Sequence, residues 1–309
     1  MTFAMIIAGL AFLLAGGEAL VHGSVAVATR LGISPLMIGL TLVGFGTSAP
    51  ELFTSVQAAL AGSSGIAVGN IVGSNIANIL LILGLVALFM PIATQRTALI
   101  RDGALLVGSA LLFSALCYAG QLGIMAGTVL LAGLAGYLLL LWTQERHKPE
   151  TSQPETAAPS QDALLPSVAF TIGGIALVML GARFLVSGAI DLARIWGTPE
   201  SVIGLTIVAI GTSLPELATS IVAAIRKHPD VAFGNVVGSN IFNVLAIGGT
   251  TALVTPLTVP PDMLTFDIPI MIAVSFALVI VAWTGSRIVR LEGALLLACF
   301  GIHQLLLWT

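Results

Sequence analysis

Charged residues are scarce in this sequence. Asp, Glu, Lys and Arg make up only 8% of the 309 residues, whereas soluble domains carry about 25%, and the mean hydropathy is +1.08. This shortage excludes an ordinary soluble domain. The alternating ten-residue segments of a membrane β-barrel are missing as well, so we expect an all-α integral membrane protein.

The sequence is also poor in cysteine, and its histidines do not cluster. Cys117 and Cys299 lie in separate apolar runs, so we expect neither a disulfide framework nor a redox role. The histidines are scattered at positions 22, 147, 228 and 303, which provides no ligand set for a soft metal. Ser/His, Asp/Asp and His-Glu patterns are missing too. We therefore expect no enzyme, no cofactor, no nucleic-acid partner and no obligate protein partner.

What the sequence has in abundance is long apolar runs. They predict ten transmembrane helices, at about 3–29, 35–60, 66–89, 97–118, 122–144, 166–193, 200–226, 231–254, 263–284 and 287–307. The first run lacks the basic start of a signal peptide, so we interpret it as a spanning helix. Residues 144–166 are polar and have the composition of a flexible linker. This linker separates a first five-helix repeat, 1–143, from a second, 167–309.

The two halves carry the same motifs. The first contains Gly46-Thr47-Ser48-Ala49-Pro50-Glu51-Leu52, and the second contains Gly211-Thr212-Ser213-Leu214-Pro215-Glu216-Leu217, 165 positions later. The same offset relates Gly73-Ser74-Asn75-Ile76 to Gly238-Ser239-Asn240-Ile241. Internal repeats of this kind are the sequence mark of transporter folds.

Basic residues set the orientation of the predicted helices. Loops on one side hold most of them: Arg30, Arg96, Arg101, Arg146, Lys148, Arg226, Lys227, Arg287 and Arg290. Because cytoplasmic loops carry the excess of Lys and Arg, we expect a cytoplasmic linker and external termini in a multi-pass protein of the cell (inner) membrane. Each half has an odd number of spans, so the second half enters the membrane in the opposite direction and the repeat is inverted.

Each half places a helix-breaking proline beside an acid. Pro50 lacks an amide hydrogen and its ring clashes with the carbonyl of Gly46, and Pro215 repeats this arrangement. We expect the second and seventh spans to break near mid-membrane, where freed carbonyls need a polar cavity. Glu51 and Glu216 lie at these breaks, at a depth where one acid costs about 2.5–3.5 kcal/mol. A helix-start capping box would explain the spacing but not that cost, so we favour a cation site.

The next span of each half adds neutral oxygen donors. Ser74 and Asn78 are four residues apart and share one helix face, as do Ser239 and Asn243, and we interpret all four as cation ligands. Four further asparagines fit helix–helix hydrogen bonding and ion binding equally well: Asn70, Asn75, Asn235 and Asn240.

Every candidate donor is an oxygen, the ligand type that hard cations such as Ca2+ require. Two ionised glutamates give the site a charge near −2, which one Ca2+ or two Na+ would neutralise. Moving the empty, charged site across an apolar barrier would cost several kcal/mol more than moving the occupied one. The pattern therefore predicts obligatory exchange by alternating access.

At these motifs the chain resembles the cation/calcium exchanger superfamily, and within it the prokaryotic sodium/calcium exchanger branch. The resemblance covers both repeats, about 35–84 and 200–249, and the ten-span layout. It implies Na+/Ca2+ antiport in which Ca2+ and Na+ compete for Glu51 and Glu216, while spans one and six slide as a pair. It also implies further ligands, through side-chain or backbone oxygens: Thr47, Ser48, Thr212, Ser213, Ser74, Ser239 and Asn78, with backbone carbonyls at Gly44 and Ala209.

One position departs from part of the family. Asn243 stands where archaeal-type and potassium-dependent exchangers carry aspartate, which lowers the expectation of K+ transport.

The nearest rival function is Ca2+/H+ antiport, although proton-coupled relatives tend to place an acid where this chain has Val72 and Val237. A cation channel is a second rival, disfavoured by the single-chain inverted repeat.

Glu18 and Arg183, also 165 apart, either pair across the symmetry axis or extend separately toward the membrane surfaces.

Overall fold

The computed structural model describes residues 2–93, 96–146, 164–197, 209–285 and 287–307. The helices are α1 (Thr2–Leu31), α2 (Pro35–Thr47), α3 (Ala49–Leu60), α4 (Ser64–Phe89), α5 (Arg96–Tyr118), α6 (Ile124–Arg146), α7 (Leu164–Ile195), α8 (Leu214–Ile225), α9 (Pro229–Val254), α10 (Met263–Thr284) and α11 (Arg290–Leu306). A single helical turn covers Ala209–Gly211. Four two-residue strands complete the elements: β1 (Ile92–Ala93), β2 (Gln121–Leu122), β3 (Leu257–Thr258) and β4 (Arg287–Ile288).

Seven helices in the described ranges are long and apolar enough to cross a bilayer: α1, α4, α5, α6, α7, α9 and α10. An eighth span is present if α2 and α3, which meet at an angle of 43°, are taken as one. The chain is thus an all-helical, multi-pass membrane protein. Residues 200–208 of the predicted seventh span lie outside the described residues, and α11 has only 17 residues, so the number of ten spans stays a prediction.

Two predicted span edges are wrong. Residue 122 and residues 287–288, assigned to the starts of the fifth and tenth spans, are strand residues. β1 pairs antiparallel with β4, and β2 pairs antiparallel with β3, so the backbone of these segments bonds to another segment instead of starting a helix. At the predicted linker, α6 extends through Arg146 and α7 begins at Leu164; residues 147–163 lie outside the described part of the chain.

Helix limits recur with the 165-residue offset found in the sequence. α3 and α8 begin and end at equivalent positions, and so do α4 and α9. Even the wide π-helical turns correspond, at Asn78–Leu83 in α4 and Asn243–Gly248 in α9. The same local sequence therefore produces the same local structure in both halves.

Contacts divide the chain into two compact units, and each unit takes segments from both halves of the sequence. The first unit comprises Met1–Thr47 and Pro149–Asn235, and the second comprises Ser48–Lys148 and Val236–Thr309. These two units do not coincide with the sequence repeats 1–143 and 167–309, so the repeats stay a prediction from the sequence.

The first unit is built on close packing between α1 and α7. Glycines seven residues apart on each helix form what we call the glycine seam: Gly9, Gly16 and Gly23 in α1, with Gly174, Gly181 and Gly188 in α7. The helices run antiparallel, because Gly9 faces Leu185 whereas Gly23 faces Thr171. Small residues let membrane helices approach closely without a hydrophobic driving force between them.

The second unit places its most buried segments around polar positions. In α4, 78% of the most apolar 18-residue stretch is buried, and in α9, which continues into this unit from the first, 94% is. Phe113 of α5 and Leu130 of α6 pack against Gly248 of α9. The polar side chains of α4 and α9 are therefore shielded from lipid by other helices.

Candidate functional site

In the first unit, helix α8 starts two residues before an acid. α8 follows Ser213, whose backbone has φ −87° and ψ 5°, and carries Pro215 and Glu216 in its first turn. Proline is tolerated there because the first amides of a helix have no intrahelical acceptor. Glu216 is fully buried, at 0% exposure. Ser213 Oγ is buried and has no hydrogen-bond partner among the described residues, so a capping box does not account for this hydroxyl.

The second unit repeats the arrangement around Glu51. α3 begins after Ser48, whose φ of −83° and ψ of 5° match those of Ser213, and Pro50 lies in its first turn. Glu51 is 1% exposed. An ionised carboxylate at such depth is stable only with hydrogen bonds or a compensating cation.

An asparagine on the following helix holds the backbone beside each glutamate. In the first unit, Asn235 Nδ2 donates to the carbonyl oxygen of Glu216 (3.2 Å) and to Ser220 Oγ (2.9 Å). In the second unit, Asn70 Nδ2 donates to the carbonyl oxygen of Glu51 (3.1 Å) and to Ser55 Oγ (2.9 Å). Both asparagines therefore serve helix–helix hydrogen bonding, one of the two roles that the sequence left open.

Asn235 makes one further contact, which reaches the other half of the sequence. The hydroxyl of Thr47, at the end of α2, lies 3.1 Å from Asn235 Oδ1 and also 3.1 Å from the carbonyl oxygen of Val43. Thr47 is 1% exposed and Asn235 is fully buried. The contact connects the last residue of α2 to α9, the helix that follows the Glu216 helix α8.

In the second unit some buried amide atoms are paired, and others have no hydrogen-bond partner among the described residues. Asn78 Nδ2 donates to Asn240 Oδ1 at 3.0 Å, and Asn75 Nδ2 donates to the carbonyl of Ile71 at 2.7 Å within its own helix. Asn243 is fully buried, and neither of its side-chain polar atoms has a hydrogen-bond partner in the described ranges; the same holds for Asn78 Oδ1.

The ten predicted ligands are divided between the units. The first unit holds Thr47, Thr212, Ser213 and Glu216, and the second holds Ser48, Glu51, Ser74, Asn78, Ser239 and Asn243. In the second unit, α3 packs against the Asn243–Gly248 turn of α9, and so does α4. All ten are buried except Thr212, which is half-buried.

Sequence reasoning missed two serines and one ion pair. Ser55 and Ser220 are fully buried and accept from the asparagines; their shared offset of 165 was a usable signal. Glu18, expected to pair with Arg183 or to extend alone, instead accepts from Arg226 Nε at 2.7 Å on a partly exposed surface, because α1 packs against α8 in the first unit.

The chemistry of the donors is uniform. Within the part of the chain that the structure describes, no three His, Cys, Asp or Glu side chains come together as a metal site would require. The candidate ligands are instead single carboxylates accompanied by hydroxyl and amide oxygens. That donor set suits hard cations in preference to zinc or copper.

The fold defines a multi-pass membrane protein, and buried acids inside such a protein are characteristic of membrane transport proteins. A family model described as sodium/calcium exchanger protein matches residues 1–143 and 166–309. The chain belongs to this family of cation exchangers.

Relatives match over nearly the whole chain. Sodium/calcium exchanger MaX1 of Methanosarcina acetivorans is 35% identical over 332 residues, covering 96% of this chain and 95% of the relative. Inner membrane protein YrbG of Escherichia coli is 37% identical over 290 residues, with coverages of 92% and 89%. The structure of the sodium-calcium exchanger NCX_Mj soaked with 10 mM Na+ and 10 mM Sr2+ matches with a TM-score of 0.85 at 30% identity, covering 97% of this chain and 96% of that one.

Proposed function

We propose that this protein is a secondary active antiporter that exchanges Na+ for Ca2+ by alternating access. Glu51 and Glu216 form one shared cation site in this proposal. Hydroxyl and amide oxygens complete it, from Thr47, Ser48, Thr212, Ser213, Ser74, Asn78, Ser239 and Asn243. No bound cofactor takes part, since Ca2+ and Na+ are the transported substrates.

One observation carries the proposal. Asn243 is fully buried beside the helix that carries Glu51, and its amide has no hydrogen-bond partner among the described residues. Leaving a buried polar group unsatisfied costs about 1–3 kcal/mol. A bound cation would recover that cost at the amide oxygen, and the carboxylates of the proposed site would balance its charge, so the arrangement fits a site that is complete only with its ion.

The charge of the site gives the exchange mechanism. With two ionised glutamates, one Ca2+ or two Na+ bring the site to neutrality, whereas the empty site retains a charge near −2. Carrying bare charge through an apolar barrier costs several kcal/mol more, so the carrier changes sides only when loaded. A third Na+ per Ca2+ would move net charge and make transport voltage-dependent, by about 2.3 kcal/mol per charge per 100 mV.

Flux in proteoliposomes tests the function. The full chain is reconstituted, and 45Ca2+ uptake is measured with outward gradients of Na+, K+ or H+ in turn. We expect uptake with Na+ only, and its loss in Glu51→Gln and Glu216→Gln. Glu292→Gln is the matched control, because Glu292 caps α11 through the amide of Val289 at 2.8 Å and glutamine can keep that bond. Uptake driven by H+ without Na+ would instead establish the Ca2+/H+ antiporter, and single-channel currents would establish a channel.

We further propose ten spans in two inverted repeats, with external termini and a cytoplasmic linker in the cell (inner) membrane. The matching limits of α3 with α8 and of α4 with α9 support the repeat. The exposed C-cap residues Ala61 and Arg226 are 165 apart, so inversion places them on opposite sides. With Cys117 and Cys299 replaced, a membrane-impermeant thiol reagent added outside should label Ala61→Cys and spare Arg226→Cys. Labelling of both would refute the inversion.

A further inference from the structure

We propose that Asn235 is a positioning residue for the cation site, which fixes the Thr47 hydroxyl relative to the start of the Glu216 helix. The inference rests on the proposed function, because it assigns a role within that site. The sequence left Asn235 open between ion binding and helix–helix hydrogen bonding; in this inference it binds no cation itself and acts through Thr47 and Glu216.

The orientation of the Asn235 amide follows from its partners. The carbonyl oxygen of Glu216 can only accept, so the atom 3.2 Å from it is the Nδ2 donor. The second Nδ2 hydrogen goes to Ser220 Oγ at 2.9 Å. Asn235 Oδ1 is left facing Thr47, and it can only accept.

That orientation constrains the Thr47 hydroxyl. Its single hydrogen faces two acceptors at 3.1 Å, the Val43 carbonyl and Asn235 Oδ1, and a third at 3.4 Å, the Gly44 carbonyl. A threonine in a helix commonly bonds only to its own backbone. The additional acceptor holds the hydrogen on the protein side, so the oxygen lone pairs remain available to a cation in a fixed direction.

Burial makes the arrangement rigid. Thr47, Asn235, Glu216 and Ser220 are each at most 1% exposed, so water does not replace a lost hydrogen bond. Groups that orient metal ligands from behind typically change metal affinity by about 10- to 100-fold when removed. We expect an effect near the lower limit here, because Val43 remains as an acceptor for Thr47.

Asn70 is a matched control within the same chain. It makes the same two Nδ2 bonds, to the Glu51 carbonyl and to Ser55, so Asn70→Ala removes an equivalent backbone clamp. A general loss of helix packing would affect both variants alike. A role exerted through Thr47 belongs to Asn235 alone.

The test is a double-mutant cycle between Asn235 and Thr47. The purified full chain in detergent is titrated with 45Ca2+, and the KM and maximal rate of Na+-driven uptake are measured in proteoliposomes. We expect Asn235→Ala to weaken Ca2+ binding about tenfold and to raise KM more than it lowers the maximal rate. In the Thr47→Val background the same substitution should weaken binding no more than Asn70→Ala does, whereas in the Thr47→Ser background, which keeps the hydroxyl, the full loss should persist. The effect of Asn70→Ala should be equal in the wild-type and Thr47→Val backgrounds.

Additive effects of Asn235→Ala and Thr47→Val would overturn the inference, and so would coupling of Asn70→Ala to Thr47→Val. Asn235→Ser replaces the alanine variant if that protein aggregates on size-exclusion chromatography, with the same coupling expected. Failure of the proposed function is a separate result: wild-type protein would then show no Na+-driven uptake, whereas failure of this inference leaves wild-type exchange intact.

Discussion

The glycine seam between α1 and α7 provides a prediction whose size can be worked out from the structure. A Cβ atom at Gly16 would lie 2.6 Å from the backbone nitrogen of Val178, and one at Gly181 would lie 2.6 Å from that of Leu13. Ordinary contacts of such atoms are 3.4–4 Å. The helices would therefore have to separate by about 1 Å locally, and the atoms in the way are backbone, which cannot rotate aside.

We expect Gly16→Ala to destabilise the protein. Overpacking of this kind typically costs 1–3 kcal/mol, and the gain of about 1 kcal/mol in helix propensity from glycine to alanine offsets only part of it. Gly16→Ala together with Gly181→Ala should be worse than either alone. The measurement is the thermal unfolding midpoint of the purified protein in detergent, followed by size-exclusion fluorescence.

Gly173 is the control for this experiment. It lies in the same helix as Gly174 but faces open space, and no atom lies within 4 Å of the position that a Cβ would take there. Gly173→Ala should leave the unfolding midpoint unchanged or raise it slightly. If Gly16→Ala and Gly173→Ala proved equally stable, close backbone approach would not be what holds α1 and α7 together.

Three further predictions concern single positions. Lys227 adopts φ 63° where its counterpart Gly62 has φ 77°; a left-handed side-chain residue costs roughly 1–2 kcal/mol, so Lys227→Gly should raise the unfolding midpoint and Gly62→Ala should lower it. Asp102 is fully buried and accepts from Arg101 Nη2 at 2.8 Å, whereas its counterpart Asp267 has a side chain 22% exposed; removing one partner of a buried ion pair costs about 3–5 kcal/mol, so Asp102→Ala should destabilise the protein clearly more than Asp267→Ala in the same unfolding assay. Burial lowers the pKa of His228 below its usual 6.5, against the opposing effect of the Asp230 carboxylate; the unfolded chain then binds the proton first, so stability should fall as pH drops below about 6.5, and His228→Gln should reduce this dependence.

The repeat was the most informative part of the sequence. An offset of 165 residues, read from the glutamate motifs, also predicts where α3, α4, α8 and α9 begin and end. At the starts of α3 and α8 the match follows from a shared serine and proline, whereas at their ends Gly62 and Lys227 differ and still adopt the same left-handed backbone. The 43° bend between α2 and α3 occurs where Pro50 and the preceding residues predict a break.

Features that depend on distant contacts were not predictable in this way. The strands β1 and β4 join residues almost 200 positions apart and are two residues long, too short to leave an alternating pattern. The pairing of Glu18 with Arg226 follows from the packing of α1 on α8, which no local signal shows. The bond between Thr47 and Asn235 likewise joins the two halves of the sequence.

The lengths of α1 and α7 have a consequence for the surrounding lipid. At 1.5 Å per residue, helices of 30 and 32 residues are about 45 and 48 Å long, whereas the hydrocarbon layer is about 30 Å thick. Two helices of that length, packed along the glycine seam, must tilt together or extend into the headgroup region. Any change in their inclination alters the hydrophobic mismatch, so the thickness of the surrounding bilayer favours some inclinations of the two helices over others.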